Sequence, residues 1–365
     1  MSTRRNAYND AYSDDYEAYE NLFDPMKTDR QARRKRKPKV NHTPKKDRGD
    51  VISEIADTSG LETGFNTTYT PGLFEEGWLH NSLRTFFEQS LITDVLARVQ
   101  GGKEANVYRC EAHPSLSVPY LAVKVYRPRM FRNLRNDRIY REGREVLTAN
   151  GRPVKGSDHR TMRAIGKKTA YGEQVAHTSW LMYEYTTLDR LHKAGAAVPR
   201  PIAGAENAIL MGYVGDAHIA APTLHEIRLD PDEVRPLFIE VMRNIRLMLA
   251  HDIVHGDLSA YNILYWEGAI VFIDFPQVVN PHANDHARAI LERDVRRICQ
   301  YFAGHGLEAD AEAITDALWQ EYVALSPEEE AADLSRLIPE TDDNNPDDDD
   351  NLDDDENLDD DDESL

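Results

Sequence analysis

Two short stretches gather side chains suited to work on a phosphate. The first is His255-Gly-Asp257-Leu-Ser-Ala-Tyr-Asn262; the second is Ile270-Val-Phe-Ile-Asp274-Phe-Pro276. An aspartate in a loop that follows a helix can accept a hydroxyl proton or orient the nucleophile, and Asp257 has that place. Asn262, five residues on, can turn back toward Mg²⁺. Asp274 can hold Mg²⁺ bridging phosphates. Either aspartate alone reads as a turn or cap residue. The spacing of all three has the layout of phosphoryl-transfer machinery.

A second group lies earlier, in Gly101-Gly-Lys-Glu-Ala-Asn-Val-Tyr108 followed by Ala122-Val-Lys124-Val. A glycine turn between two strands can bring backbone N–H groups to phosphate oxygens, although any hairpin would use glycine there. Lys124 is more informative. In the strand Leu121–Tyr126, alternation puts Leu121, Val123 and Val125 on one face and Ala122, Lys124 and Tyr126 on the other. An ammonium among apolar neighbours is costly unless paired, so Lys124 needs a carboxylate and a phosphate. Glu184 suits the first role. The bland alternative is a lysine snorkelling at a sheet edge.

The elements that must position these groups can be traced outward. Regular structure is expected from near Trp78, with Leu83, Phe86, Phe87 and Leu91 at helical spacing, then a strand over 94–98 and the turn at Gln100-Gly101-Gly102. Arg127 to Gly172, rich in Arg, Lys and Gly, is expected to include a mobile connection. Trp180 to Lys193 is a helix that carries Glu184 and stops at Gly195. Ile209-Leu-Met211 is a short buried strand. A helix over 232–251 has the stripe Val234, Leu237, Phe238, Val241, Ile245, Leu249 and start signals at Asp230-Pro231-Asp-Glu233. Pro236 would put its start later than that cap. Ile263-Leu-Tyr265 and Ile270-Val-Phe-Ile273 form a hairpin through Trp266-Glu-Gly268, which brings Asn262 and Asp274 to one mouth. Residues 285–305 are helical. His282, Asp285 and His286 look like a metal cluster, but in a loop after Asn280-Pro281 they read as solvated residues.

The formal net charge of −21 over 365 residues is local. Thr341 to Leu365 holds about fifteen acidic residues; without them the remainder is near −6, which suggests neither a nucleic-acid-binding nor a salt-adapted surface. Residues 1–75 lack sustained apolar periodicity and contain the basic cluster Arg33-Arg-Lys-Arg-Lys-Pro-Lys39. The expected organisation is a disordered basic arm over 1–75, an N-lobe over 76–215, a C-lobe over 216–340 and a disordered acidic tail over 341–365. Two cysteines, Cys110 and Cys299, argue against a disulfide framework or a zinc site. With no signal-peptide stretch and no apolar run of spanning length, a cytoplasmic setting and no membrane contact are expected.

The run GGKEANVY, then AVKVY, then HGDLSAYN and a final Ile-Asp resembles the RIO family of atypical serine/threonine protein kinases, over roughly Thr93 to His305. GKEANVY is the discriminating element; the later motifs alone would also fit aminoglycoside and choline phosphotransferases. Asp137-Arg-Ile-Tyr140-Arg-Glu-Gly143 and Trp180-Leu-Met-Tyr-Glu184 add to the likeness. The resemblance implies an α+β, two-lobed protein-kinase-like fold with a β-rich N-lobe, a mostly helical C-lobe and no usual activation loop. It implies ATP and Mg²⁺ as cofactors. Gly102 and Lys103 would cover the phosphates, Lys124 would contact them with Glu184 as its partner, and Met211 to Val214 would form the adenine hinge. Asp257 would be the catalytic aspartate, and Asn262 and Asp274 the metal ligands. In this family the metal-binding aspartate can also accept phosphate, giving an ATPase-like cycle.

Three departures bear on these expectations, one being the long and unusually basic connection from Arg127 to Gly172, across which the family's substrate recognition does not carry over. Gln100-Gly101 stands where the family often has small hydroxyl residues, and Pro276 makes a mobile flip after Asp274 unfavourable. The expected function is an ATP- and Mg²⁺-dependent kinase of this type, working on an unidentified protein substrate or mainly as an ATPase or autokinase. The alternatives are a small-molecule phosphotransferase on the same fold and an ATP-switched binding module on a ribosome-related particle. The basic arm is the expected place for contact with such a particle or with RNA.

Overall fold

The computed structural model describes residues 67–102, 105–127, 139–140, 142–155, 158–167 and 169–324. Lys103, the basic cluster Arg33 to Lys39, Asp137 and the acidic run after Thr341 lie outside the described residues.

Helix α1 (Leu73–Glu88) leads into the strands β1 (Ile92–Gly101), β2 (Ala105–Ala112) and β3 (Tyr120–Tyr126). Helices α2 (His159–Gly166) and α3 (Ala170–Lys193) follow, then β4 (Pro201–Gly204) and β5 (Ala208–Gly212). The five strands form one antiparallel sheet in the order β1-β2-β3-β5-β4. The alternation read in β3 divides the packing. Leu121, Val123 and Val125 join Trp78, Leu79, Leu83 and Phe86 of α1 in one apolar cluster. Ala122 and Tyr126 face the other way, into a larger cluster with α3 and the helical lobe. Each fully buried Leu, Val or Phe in these layers contributes about 1.5–3 kcal/mol of transfer free energy.

The helical lobe contains α4 (Pro231–Leu249), the hairpin β6 (Ile263–Trp266) and β7 (Ala269–Phe272), α5 (Ala287–Ala303) and α6 (Ala311–Tyr322). Glu267 and Gly268 both have positive φ, so β6 and β7 join through the two-residue turn whose twist suits a hairpin.

Several boundaries differ from expectation. Helix α1 begins at Leu73, five residues before Trp78, and β1 is longer than 94–98. The connection expected to run loosely to Gly172 is helical at its end. Helix α3 starts at Ala170, ten residues before Trp180, with Thr169 capping Gly172 N–H at 3.1 Å. A Cβ at Gly172 would meet the Ala164 carbonyl oxygen at 2.1 Å, so this glycine lets α2 lie directly against α3. Pro236 does not delay α4. The Asp230–Glu233 capping box and Pro231 in the first turn start it where the cap signals stand. Pro236 lies on the exposed face, where the carbonyl left without its N–H partner can meet water.

Candidate active site

Strand β3 places Lys124 directly opposite Val107 on one side and Ile209 on the other. Its Nζ lies 2.6 Å from Glu184 Oε1 and 2.5 Å from Asp274 Oδ1. The first carboxylate comes from the middle of α3, the second from the loop after β7. Lys124 therefore ties the sheet to both a helix and the helical lobe, and is no snorkelling edge lysine. Burial opposes its charge, but Asp274 and Glu184 outweigh that and hold its pKa well above the ordinary lysine value. Glu184, only 1% exposed, also accepts from the Tyr126 hydroxyl. Burial first, and Glu184 second, raise the pKa of that phenol, which keeps it a donor.

The loop between α4 and β6 is fixed from several sides. Val254 and Val279 exchange backbone hydrogen bonds of 2.9 Å. Gly256, at φ +85°, passes so close to Gln277 that a Cβ would meet its carbonyl oxygen at 2.1 Å. Helix α5 supplies the rest. Asp294 Oδ2 accepts from Gly256 N–H at 2.8 Å, Arg293 donates to the Gly256 carbonyl, and Arg297 donates to Asp257 Oδ1 at 2.8 Å. The amide nitrogen of Asn262 donates to the Asp257 carbonyl at 2.8 Å and to Asp257 Oδ2 at 3.3 Å. One carboxylate oxygen of Asp257 is thus turned by an arginine and the other by an amide.

The hairpin then brings the second aspartate alongside. Ile273 N–H donates to the Asn262 carbonyl at 3.0 Å, and His255 Nε2 donates to the Ile273 carbonyl at 3.2 Å. With Asp257 N–H donating to His255 Nδ1 at 3.3 Å, the two contacts fit the tautomer with its proton on Nε2. Asp274 sits at φ +71°, an uncommon conformation for a residue with a Cβ. The chain beyond it is held in place: Phe275 is buried against His255, and Arg144 donates to the carbonyls of Pro276 at 2.8 Å and Val278 at 3.1 Å.

Asn262 and Asp274 suit Mg²⁺. The Asn262 nitrogen is committed to Asp257, so its oxygen is the atom that could ligate a cation. The Asp274 side chain is 40% exposed, and only Oδ1 is engaged by Lys124. Mg²⁺ asks for one or two such oxygens, with water and phosphate filling the other positions. Among the described residues no group of three or more His, Cys, Asp or Glu converges as an all-protein metal site. His282 and His286 instead stand exposed beside Asp252 and Glu142, at 3.3 and 3.7 Å.

The remaining expected residues lie at the ends of the strands that flank β3. Gly102 N–H donates to the Ala105 carbonyl at 2.9 Å and closes the β1–β2 hairpin. Met211 lies opposite Ala122 on the face that carries Lys124. The Val214 carbonyl accepts from Ala221 N–H at 3.0 Å, which folds the chain back after β5. The sequence reading missed Arg293, Asp294, Arg297 and Arg144. The first three carried a usable signal, since they fall within the helix stripe marked by Ile290, Leu291, Val295 and Ile298, and charges on a buried stripe imply partners.

A five-stranded sheet over a helical lobe, with a buried lysine–carboxylate pair facing two loop aspartates, defines a protein-kinase-like fold. Comparison with known proteins narrows it further. The profile of the RIO domain matches residues 138–314. A RIO-type serine/threonine-protein kinase Rio1 from Thermoplasma acidophilum is 35% identical over 139 residues, covering 38% of this chain and 70% of the relative. Its namesake from Haloferax volcanii is 30% identical over 223 residues, 59% of this chain and 66% of the relative. The serine/threonine-protein kinase RIO1 of Chaetomium thermophilum is 30% identical over 231 residues, 60% of this chain and only 41% of the relative. The chain belongs to the RIO family.

Proposed function

We propose that this protein is an ATP- and Mg²⁺-dependent serine/threonine kinase of the RIO type. The observation that carries the reading is the position of Lys124, 2.6 Å from Glu184 and 2.5 Å from Asp274. These contacts put a charged ammonium beside the loops of Asp257, Asn262 and Asp274. Phosphoryl transfer needs little covalent chemistry from a protein; it needs positioned charge. Lys124 would neutralise phosphate oxygens and Glu184 would aim it. The hairpin at Gly102 and Lys103 would cover the phosphates, and Met211 to Val214 would receive the adenine. Asp257, held by Arg297 and Asn262, would orient the acceptor hydroxyl. Asn262 and Asp274 would hold Mg²⁺, which when bound offsets charge on the phosphates.

The partly exposed carboxylate of Asp274 favours a second outcome at the same site. It attacks the γ-phosphorus, the bond to the bridging oxygen of ADP breaks, and water later hydrolyses the aspartyl-phosphate. Turnover then reads as ATP hydrolysis. The test is incubation with γ-labelled ATP, with and without Mg²⁺, protein acceptors and ribosomal particles. Label on Ser or Thr supports the kinase reading. Acid-stable label released by hydroxylamine supports the acyl-phosphate, and Asp274→Ala should lack it. No Mg²⁺-dependent turnover or nucleotide binding overturns both. Stimulation by ribosomal particles that is lost when Arg33 to Lys39 are neutralised would support a cytoplasmic partner contact through that basic cluster. Among the described residues no helix is long and apolar enough to cross a membrane.

A further inference from the structure

We infer that Glu75, on the helix that precedes the sheet in the chain, is a positioning residue for the hairpin proposed to cover the phosphates, acting through Asn106 and Tyr108; this rests on the nucleotide-binding reading above. Glu75 lies behind the sheet, on the side away from Lys124, and is only 9% exposed. Its carboxylate gathers far more donors than a helix cap requires. Oε1 accepts from the Tyr108 hydroxyl and from Asn106 Nδ2 at 3.1 Å. Oε2 accepts from the Tyr69 hydroxyl at 2.9 Å and from Gly72 N–H at 3.3 Å, and Arg98 Nη1 stands 3.9 Å from Oε1. Only the Gly72 contact belongs to capping α1. Burial and then Glu75 raise the pKa of both phenols, that of Tyr69 to about 12, so each remains a donor at working pH.

Asn106 and Tyr108 are the first inward-facing residues of β2 after the turn. Their neighbour Val107 points to the opposite face, directly across from Lys124. Asn106 is also the register partner of Gly101, and its oxygen accepts from Arg127 at 3.1 Å. Its amide is thus used on both sides: Arg127 on the oxygen, Tyr108 and Glu75 on the nitrogen. Among its described residues the hairpin tip has the 2.9 Å bond from Gly102 to Ala105 and, of apolar side chains, only the partly buried Ala105 against the core. Its orientation relative to Lys124 therefore depends on residues 106 and 108, and theirs depends on Glu75.

The test uses the full chain and two readouts. In Glu75→Ala, amide exchange over residues 98–108 should quicken about tenfold while α4 and α5 keep their protection. KM for ATP should rise about 5- to 10-fold with kcat within about twofold, as expected for the loss of one or two hydrogen bonds that aim a binding loop. Glu75→Gln should recover part of both effects. Leu83→Ala, on the same helix but outside the network, supplies the comparison at equal loss of thermal stability; its KM should match wild type. Unchanged exchange over 98–108 in Glu75→Ala, or a KM shift that Leu83→Ala reproduces, would overturn the assignment. If Glu75→Ala does not fold, Tyr108→Phe removes a single oxygen from the network and is judged by the same two readouts. If the wild type bound no Mg·ATP, the kinase reading would fall, while the exchange measurement would still decide whether Glu75 holds the hairpin.

Discussion

Asp257 and Asp274 flank one β-hairpin, yet their surroundings are opposite. Asp257 is 7% exposed and held from within the helical lobe by a buried guanidinium and an amide. Asp274 has a side chain 40% exposed, a left-handed backbone and an ion pair that reaches across to the sheet. A group that only orients a hydroxyl gains from being clamped, because lost freedom is paid for at folding. A group that must share an oxygen with a cation has to keep that oxygen in the open. Under the proposed function the contrast separates positioning from binding, and each half can be broken on its own.

The largest effect should come from Asp274→Ala. Loss of a charge that acts in both ground and transition states should lower turnover at least ~10³-fold and weaken Mg·ATP binding together. Labelled-ATP turnover and a nucleotide titration read the two. Full Mg·ATP affinity in this variant would remove Asp274 from the metal site. Next comes Asp257→Ala, which should reduce transfer to hydroxyl acceptors by ~10²–10⁴-fold with Mg·ATP affinity close to wild type. A parallel loss of affinity would erase the proposed division of labour.

Arg297→Ala tests the clamp through stability. It leaves the Asp257 carboxylate without its guanidinium, a change that costs about 3–5 kcal/mol for a buried pair. In a unit of this size Tm should fall by on the order of 10 °C. Arg288→Ala, which breaks an exposed pair with Asp316, should cost less than about 1 kcal/mol. Equal melting curves for the two variants would show that burial does not distinguish them.

The smallest effect concerns pH. Lys124 has a folded pKa raised above its unfolded one, so its contribution is complete below the ordinary lysine value. It is lost only as pH rises through the higher folded value. Stability and Mg·ATP affinity should therefore show no Lys124-dependent loss between pH 7 and about 10. A transition inside that window, absent from Lys124→Met, would mean that the two carboxylates do not hold the charge.

Lys124 and Glu184 were legible because both rest on local periodicity. A strand of alternating residues leaves one ammonium on the wrong face, and a helix stripe leaves one carboxylate beside it. The β6–β7 hairpin was legible from turn chemistry. The bracing of Asp257 was not, since it depends on which face α5 turns to the loop, a tertiary fact. The first ten residues of α3 escaped for a similar reason. Ala170 to Ser179 has no apolar stripe, and its support comes from close packing of α2 at Gly172. Glu75 lay in a segment expected to precede regular structure. Nothing in its spacing points to Asn106 and Tyr108, some thirty residues away.

The buried pair between Arg297 and Asp257 also governs what an inactivated copy of this protein would mean inside a cell. Alanine at 257 removes the carboxylate proposed to orient the acceptor and, in the same stroke, the counter-charge of an interior arginine. Such a copy should be scarcer as well as silent, because one or two kcal/mol is enough to change steady-state abundance several-fold through quality control. A growth defect in cells carrying it would mix missing chemistry with missing protein. Asparagine at 257 keeps the volume and an oxygen for the guanidinium, so it is the allele from which a purely chemical phenotype can be read.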